Sequence, residues 1–197
     1  MQSLYYFIVK PLNDRYDNTR TVAGTDLIIN SGIEDYRFIS KKAVVVSTPA
    51  AYTTKINIGD ELYIHHNIFR RWYDQKGKER NSSTHFKDDL YFVSLEQIYM
   101  YNLKPNLDYC FVKPLKNQSI LENRKEQPNV GIVKYSNKSL EALGITPETL
   151  ITFTPNSEFE FIIEGERLYC MKSNDIALTH EYQGNEEENN PSWAKGS

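Results

Sequence analysis

The sequence predicts an all-β protein made of two small barrels in tandem, followed by a polar tail. Three observations lead to this prediction: short β-type runs fill the chain, turn residues separate them, and one sequence pattern occurs twice. The runs are rich in β-branched and aromatic residues; they are AVVV (43–46), ELYIHHNIF (61–69), LYFV (90–93), TLITF (149–153), FEFII (159–163) and RLYCM (167–171). The one segment with a helical character is KSLEALG (138–144), which ends at a glycine.

The repeat begins with VKPL, which occurs at 9–12 and again 103 residues later at 112–115. Three further matches follow in the same order: AVVVS (43–47) with GIVKY (131–135), INIGDELYI (56–64) with ITPETLITF (145–153), and LYFVSLEQI (90–98) with LYCMKSNDI (168–176). Their separations are 88, 89 and 78 residues. Because the separation falls in two steps, the first copy is longer in two places, after residue 12 and after about residue 65.

These matches predict the domain boundaries. We expect a first barrel over 1–101, with a long flexible loop at about 13–40 and a hairpin at about 66–86. A second, shorter barrel is expected over 106–182. Residues 183–197 are polar and acidic, which is typical of a poorly ordered tail.

Composition excludes several classes of protein. The net charge of −3 gives no basic bias toward nucleic acid, so we expect no nucleic-acid partner. No apolar run approaches the ~20 residues of a membrane helix, and the N-terminus lacks the features of a signal peptide. The two cysteines, Cys110 and Cys170, fit buried free thiols in a reducing compartment. A cytoplasmic location is therefore expected.

The order of these segments resembles the co-chaperonin family, also called the GroES-like or chaperonin-10 family. Its subunits open with a Pro-Leu-type strand and a long flexible loop, then a G-x-V-x-x-V strand, a V-G-D-x-V-x-F element, a roof hairpin and a closing strand near D-I-L. In the first copy the counterparts are VKPL, the 13–40 loop, KAVVVSTP (42–49), INIGDELYI, the 66–86 hairpin and LYFVSLEQI. In the second copy they are VKPL, VGIVKYS (130–136), ITPETLITF and ERLYCMKSNDI (166–176). The resemblance covers nearly the whole chain before the tail, and the composition is similar to that of divergent bacteriophage members.

The resemblance implies a protein that caps a chaperonin ring and assists protein folding. The contact residues would be Leu27, Ile28 and Ile29, within TRTVAGTDLIINSG (19–32). It further implies a homo-oligomeric ring, no cofactor, and a partner whose ATP cycle drives association, in the host cytoplasm if the protein is viral. A buried strand at 27–29 is the alternative interpretation. The second copy's loop, 116–129, offers only Ile120 and Leu121.

The hairpin at 66–86 is expected to turn around Gln75-Lys76-Gly77-Lys78. It concentrates basic and aromatic residues, namely Arg70, Arg71, Trp72, Tyr73, Lys76, Lys78 and Arg80. Arginine interleaved with aromatic side chains is one pattern that binds phosphates or stacks on bases. A solvated hairpin with its aromatic residues packed at the base is the interpretation that we favour.

Motifs for catalysis are missing from the sequence, with neither a nucleophile elbow nor a phosphate-binding glycine loop. His65, His66 and His85 do not predict a metal site, because adjacent strand residues point to opposite faces. The sequence therefore predicts a protein that is not an enzyme. A structural or assembly protein, for example of a phage particle, that reuses the same fold is the alternative function.

Overall fold

The computed structural model describes residues 2–16, 19–22, 25–28, 38–117, 126–181 and 186–196. The chain divides into two compact units, Met1–Leu103 and Lys104–Ser197. Strands dominate both units, and the α-helix found in the described residues is the single turn α1 (Lys138–Glu141). The all-β prediction is confirmed at this level. None of the helices in the described part of the chain is long and apolar enough to cross a membrane.

The first unit is built on one antiparallel sheet and two small hairpins. Its strands are β1 (Phe7–Pro11), β2 (Thr19–Val22), β3 (Thr25–Ile28), β4 (Lys42–Ser47), β5 (Glu61–Ile64), β6 (Arg71–Tyr73), β7 (Glu79–Asn81), β8 (His85–Lys87), β9 (Leu90–Val93) and β10 (Ile98–Tyr101). Within the unit the sheet order is β10-β5-β4-β1-β9-β8, while β2-β3 and β6-β7 form separate two-stranded sheets. A two-residue strand, β11 (Lys104–Pro105), begins the second unit.

The second unit is built on one six-stranded antiparallel sheet. Its strands are β12 (Tyr109–Lys116), β13 (Glu126–Tyr135), β14 (Leu150–Phe153), β15 (Phe159–Ile163), β16 (Glu166–Lys172) and β17 (Ile176–His180). They are ordered β15-β16-β12-β13-β14-β17.

Neither main sheet closes into a barrel through its strand pairings, which corrects the expectation of closed barrels. Closure needs continuous pairing around the ring of strands. In the first unit the sheet ends at the three-residue β8, which has an irregular register against β9 and is too short to provide a closing ladder. In the second unit the edge strands β15 and β17 pair with β16 and β14 and not with each other, so the described sheet stays open.

Apolar residues of each sheet form a separate core. In the first unit, Phe7 and Val9 of β1 are fully buried and pack with residues of the other strands and connections, including Val45, Ile64, Phe69, Tyr91 and Ile98. In the second, Cys110 and Val112 of β12 pack with Val133, Leu140, Ile151, Phe153 and Met171. Burial of such side chains contributes about 25 cal/mol per Å² of apolar surface and is the main force that holds each unit together.

The two sheets have the same pairing register. Equivalent pairs are Val9–Val45 and Val112–Val133, Val9–Tyr91 and Val112–Tyr169, and Leu62–Tyr101 and Ile151–Thr179. The irregularities recur as well, because β1 shifts register between Ile8 and Val9 and β12 shifts between Phe111 and Val112. Strand β1 of the first unit therefore occupies the place of β12 in the second.

The turn that precedes β5 has the same hydrogen bonds as the turn that precedes β14. The Gly59 amide donates to the Val45 carbonyl at 2.9 Å, and the Glu148 amide donates to the Val133 carbonyl at 2.8 Å. Both positions have a positive φ, 90° at Gly59 and 70° at Glu148. Glycine adopts this backbone without strain, whereas Glu148 is held in it by the surrounding bonds.

Residues 186–196, within the predicted poorly ordered tail, pack against the second unit. The Lys116 amide donates to the Glu187 carbonyl at 2.8 Å, and the Asn189 amide donates to the Pro114 carbonyl at 2.8 Å. Ala194 is fully buried. This segment therefore extends the hydrogen bonding of β12, and residues 182–185 and 197 lie outside the described residues.

Candidate functional site

The predicted docking segment lies in the connection between β1 and β4. Within this connection, β2 and β3 pair with each other from Thr19–Ile28 to Val22–Thr25. Leu27 and Ile28 belong to β3, and Ile29 lies outside the described residues. The β2-β3 hairpin forms its own sheet. Leu27 and Ile28 thus lie in a strand that pairs with β2 and not with the main sheet.

The equivalent connection of the second unit runs from β12 to β13 and is much shorter, at residues 117–125. Residues 118–125, which include Ile120 and Leu121, lie outside the described residues. Among the described residues, therefore, the first unit has a separate hairpin in this connection and the second unit does not.

The segment predicted as a hairpin at 66–86 is divided into three elements. A 3-10 turn (His66–Ile68) comes first, then the β6-β7 hairpin, then β8. Ile68 and Phe69 are fully buried and anchor the hairpin to the core of the first unit. The tip lies where the sequence predicts it, because the Gly77 amide donates to the Asp74 carbonyl at 2.8 Å.

The basic residues of this hairpin do not form a continuous positive surface. Arg80 pairs with Asp74 at 3.0 Å, and Arg71 pairs with Glu79 at 3.3 Å. Asp74 also accepts hydrogen bonds of 2.9 Å from the backbone amides of Lys76 and Lys78, and the bond from Lys78 is the main cause that lowers the pKa of Asp74.

Exposed side chains nevertheless occur on the hairpin. Trp72 and Tyr73 are 43% and 51% exposed, and Trp72 pairs across the ladder with Arg80. Arg70 is exposed just before β6. Two carboxylates thus neutralise part of the charge of this hairpin, whereas Trp72 and Tyr73 are exposed and are not packed at its base as the solvated-hairpin interpretation expects.

A cluster that the sequence did not predict lies where β1 ends. Arg15 stacks over the ring of Tyr91 at 5.2 Å, and Arg71 stacks over the ring of Tyr16 at 4.7 Å. Arg15 also donates from Nη2 to the Phe69 carbonyl at 3.1 Å and to Asn81 Oδ1 at 3.0 Å. We call Arg15, Tyr16, Arg71 and Tyr91 the arginine–tyrosine cluster.

The arginine–tyrosine cluster borders a cleft of about 550 Å³, lined by Lys10, Pro11, Leu12, Asn13, Asp14, Arg15, Tyr16, Arg71 and Asp89. Burial is the largest effect that lowers the pKa of Arg15, and the positive charge of Arg71 acts in the same direction. Burial raises the pKa of Tyr91. The partners of Arg15 lie 54 and 66 residues along the chain, so no local pattern signals the cluster.

A related arrangement occurs in the second unit. Arg167 stacks over Tyr169 at 5.0 Å. The Glu126 carboxylate accepts hydrogen bonds from Arg167 Nη1 and from the Tyr169 hydroxyl, the latter at 2.6 Å, while Arg167 Nε donates to Glu160 at 2.6 Å. Burial, together with the hydrogen bond to Glu126, raises the pKa of Tyr169 well above its usual range.

The histidine side chains are not arranged as a set of metal ligands. His65 and His66 stack at 4.4 Å, and His65 Nδ1 accepts a hydrogen bond of 3.1 Å from the Asn67 amide. His85 Nε2 lies 2.8 Å from the Asp88 carbonyl oxygen. The described residues contain no group of three metal-ligating side chains.

Cys110 and Cys170 are free and buried. Cys110 on β12 pairs with Met171 on β16, whereas Cys170 on β16 pairs with Phe111 on β12. The two cysteine side chains therefore point to opposite faces of the sheet. Burial raises the pKa of Cys110 to about 12, which keeps this thiol protonated and unreactive.

We compared the chain with known proteins once these contacts were established. No protein-family model and no curated protein matches it.

Proposed function

We propose that the protein is a co-chaperonin-like cap, which binds a chaperonin ring through the connection between β1 and β4 and assists protein folding. In this proposal it is not an enzyme and carries no cofactor. It acts as a homo-oligomer in the host cytoplasm, with the partner's ATP cycle driving association. Each unit is proposed to be a divergent GroES-like domain that arose by tandem duplication.

The observation that carries the proposal is the β2-β3 hairpin. An antiparallel pair such as β1 and β4 needs only a short loop, yet residues 12–41 separate them. This segment forms its own two-stranded sheet. A segment that the sheet does not need, and that holds the apolar Leu27 and Ile28, fits a docking element better than a core element.

The matching register of the two units supports the proposed duplication. Pairs, register shifts and turn bonds recur at the separations that the sequence repeat predicts. Only the first unit has the long connection among the described residues, so the proposal assigns docking to that unit. Weak contacts from several subunits of one oligomer would then add through effective concentration.

The test is co-sedimentation of the intact protein with a purified chaperonin ring, with ATP, with ADP and without nucleotide. We expect nucleotide-dependent binding, reduced at least tenfold in Leu27→Asp and in Ile28→Asp. The matched control is Leu143→Asp, because Leu143 is a leucine that is 76% exposed in the second unit. This control should bind like the unchanged protein.

Two results would contradict the proposal. One is the absence of binding with any nucleotide, and the other is equal loss of binding in Leu143→Asp and Leu27→Asp. If binding is absent and the protein co-purifies with assembled particles, the alternative role as an assembly protein replaces the cap.

A further inference from the structure

The arginine–tyrosine cluster of the first unit contains polar atoms without partners. Four side-chain nitrogen or oxygen atoms of the described residues are buried without a hydrogen bond. Three of them belong to the cluster, namely Arg15 Nε, Arg71 Nε and the Tyr91 hydroxyl. Buried polar groups are nearly always paired in native proteins, so three orphan atoms in one place indicate a missing partner.

The second unit shows which chemical group completes such an arrangement. Tyr91 and Tyr169 occupy the same register position, because they pair with Val9 and Val112. Each carries a stacked guanidinium, at 5.2 Å in the first unit and 5.0 Å in the second. In the second unit a carboxylate, that of Glu126, accepts hydrogen bonds from both the tyrosine and the arginine.

The first unit has no such internal carboxylate among its described residues. Carried on to Glu126, the separation of 88 residues that relates AVVVS to GIVKY falls on Phe38, which lies before β4 and carries no carboxylate. Asp14 and Asp89 line the cleft, but they are exposed and form no ion pair with Arg15 or Arg71 within the described chain. Arg15 Nη1 and Arg71 Nη2 likewise have no hydrogen bond to any described residue.

We propose that this cleft binds one carboxylate or phosphate group of an external ligand, in the role that the Glu126 carboxylate has in the second unit. Arg15 and Arg71 supply the guanidinium groups, which suit the planar, two-point recognition of oxyanions. Stacking on Tyr91 and Tyr16 holds both side chains in place before the ligand arrives, which reduces the entropy lost on binding.

The charges around the cleft narrow the class of ligand. Lys10, Arg15 and Arg71 oppose Asp14 and Asp89, so the lining is only weakly positive. A single carboxylate or phosphate group matches this balance. A polyphosphate would bring its additional charges near the two aspartates, and we expect it to bind no more tightly than inorganic phosphate.

The test uses the intact protein, titrated with inorganic phosphate, acetate and pyrophosphate at an ionic strength kept constant with chloride. Binding is followed by calorimetry and by the shift in melting temperature. We expect saturable binding of phosphate or acetate, weakened at least tenfold in Arg71→Gln. The neighbouring exposed arginine provides the control, and Arg70→Gln should bind within twofold of the unchanged protein.

Tyr91→Phe separates a binding role from a purely structural one. The substitution removes a buried hydroxyl without a partner, so the ligand-free protein should melt at an equal or higher temperature, while the stabilisation by the anion should decrease. Tyr169→Phe is the matched variant, because its hydroxyl bonds to Glu126, and it should lower the melting temperature without ligand.

The proposal is overturned if the unchanged protein shows no saturable binding of phosphate or acetate. It is also overturned if Arg71→Gln and Tyr91→Phe both bind as the unchanged protein does. Leu27→Asp should keep full anion binding, so failure of this site and failure of chaperonin docking are distinguished by separate variants.

Discussion

Lys113 on β12 forms an ion pair of 2.6 Å with Glu188, which lies 75 residues further along the chain. The Lys113 side chain is only 12% exposed, so the pair is better shielded from solvent than a typical surface pair. Although burial alone would lower the pKa of Lys113, the hydrogen bond and charge of Glu188 raise it overall. The C-terminal segment is therefore an integral part of the second unit.

We expect Glu188→Gln to lower the free energy of unfolding by about 1 kcal/mol, because it removes the short pair and leaves the shielded ammonium group with only the more distant Glu148, at 3.9 Å. Glu187→Gln is the control. Glu187 pairs with Lys116 at 2.9 Å, but both side chains are more than half exposed, so its loss should destabilise the protein less than the loss of Glu188 does. Urea denaturation checks both variants, and equal effects would contradict the shielded-pair argument.

Asn137 is predicted to be the most sensitive polar residue of the second unit. Its side chain accepts a hydrogen bond from the Leu140 amide at 3.0 Å, and it donates to the Tyr109 carbonyl at 2.9 Å and to Ser173 Oγ at 2.8 Å. Asn137→Ala should cost about 2–3 kcal/mol, since it removes a helix cap and leaves a carbonyl and a hydroxyl without their donor.

Asn137→Asp keeps the cap, but it loses the donor and at neutral pH places a buried carboxylate against the Tyr109 carbonyl oxygen. Its cost in urea denaturation should therefore exceed that of Asn137→Ala at neutral pH and decrease as the pH falls. Ser139→Ala, on the exposed side of the same turn, should change little. A cost as small for Asn137→Ala as for Ser139→Ala would contradict the prediction.

Gly131 is required by the close approach of β12 and β13. A Cβ atom at this position would lie 2.6 Å from the Lys113 carbonyl oxygen and 2.4 Å from Val112 Cγ1. Gly131→Ala should therefore destabilise the second unit by about 1–3 kcal/mol, as overpacking does in other cores.

A second substitution isolates the clash with the backbone. Val112→Ala removes the side-chain contact but not the Lys113 carbonyl, so adding Gly131→Ala to it should still lower the free energy of unfolding. Full rescue by Val112→Ala would show that the carbonyl is free to move. In the first unit the same register position holds Ala43, which pairs with Pro11 as Gly131 pairs with Pro114.

The lowered pKa of His66 predicts that the folded protein loses stability in weak acid. Its pKa is lowered from 6.5 to about 4, chiefly by burial and then by the neighbouring His65, Lys41 and Arg70. Between these two values the unfolded chain binds a proton at His66 that the folded chain does not bind. Stability is thus fully present above pH 6.5 and falls as the pH decreases toward 4.

The measurement is the melting temperature at pH 7.5 and at pH 5 for the unchanged protein and for His66→Asn. The difference between the two pH values should be smaller in the variant, by an amount limited by the partial exposure of His66. An unchanged difference would contradict the prediction.

The sequence repeat identifies the paired strands well. The segments that the repeat aligns, such as 43–47 with 131–135, are also the segments that pair in the same register in the two sheets. This agreement has a physical cause, because a one-residue slip would turn every buried side chain of a strand toward the other face. The tip of the 66–86 hairpin was likewise predictable, since Gly77 adopts the positive φ that the turn needs.

Closure and long-range contacts were not predictable from local pattern. The barrels expected from the strand pattern are open sheets, because closure depends on whether the edge strands pair with each other, and in the second unit β15 and β17 pair only with β16 and β14. The arginine–tyrosine cluster joins side chains more than 50 residues apart. No periodicity signals that Arg15 will lie over Tyr91.

The sequence by itself therefore determined the β class, since alternation and turn residues act over a few neighbours. The tertiary structure alone decided three features: the open edges of the sheets, the docking of residues 186–196 on β12, and the different partners of Tyr91 and Tyr169. Each of these depends on groups that are distant in the chain and meet only when the sheet assembles.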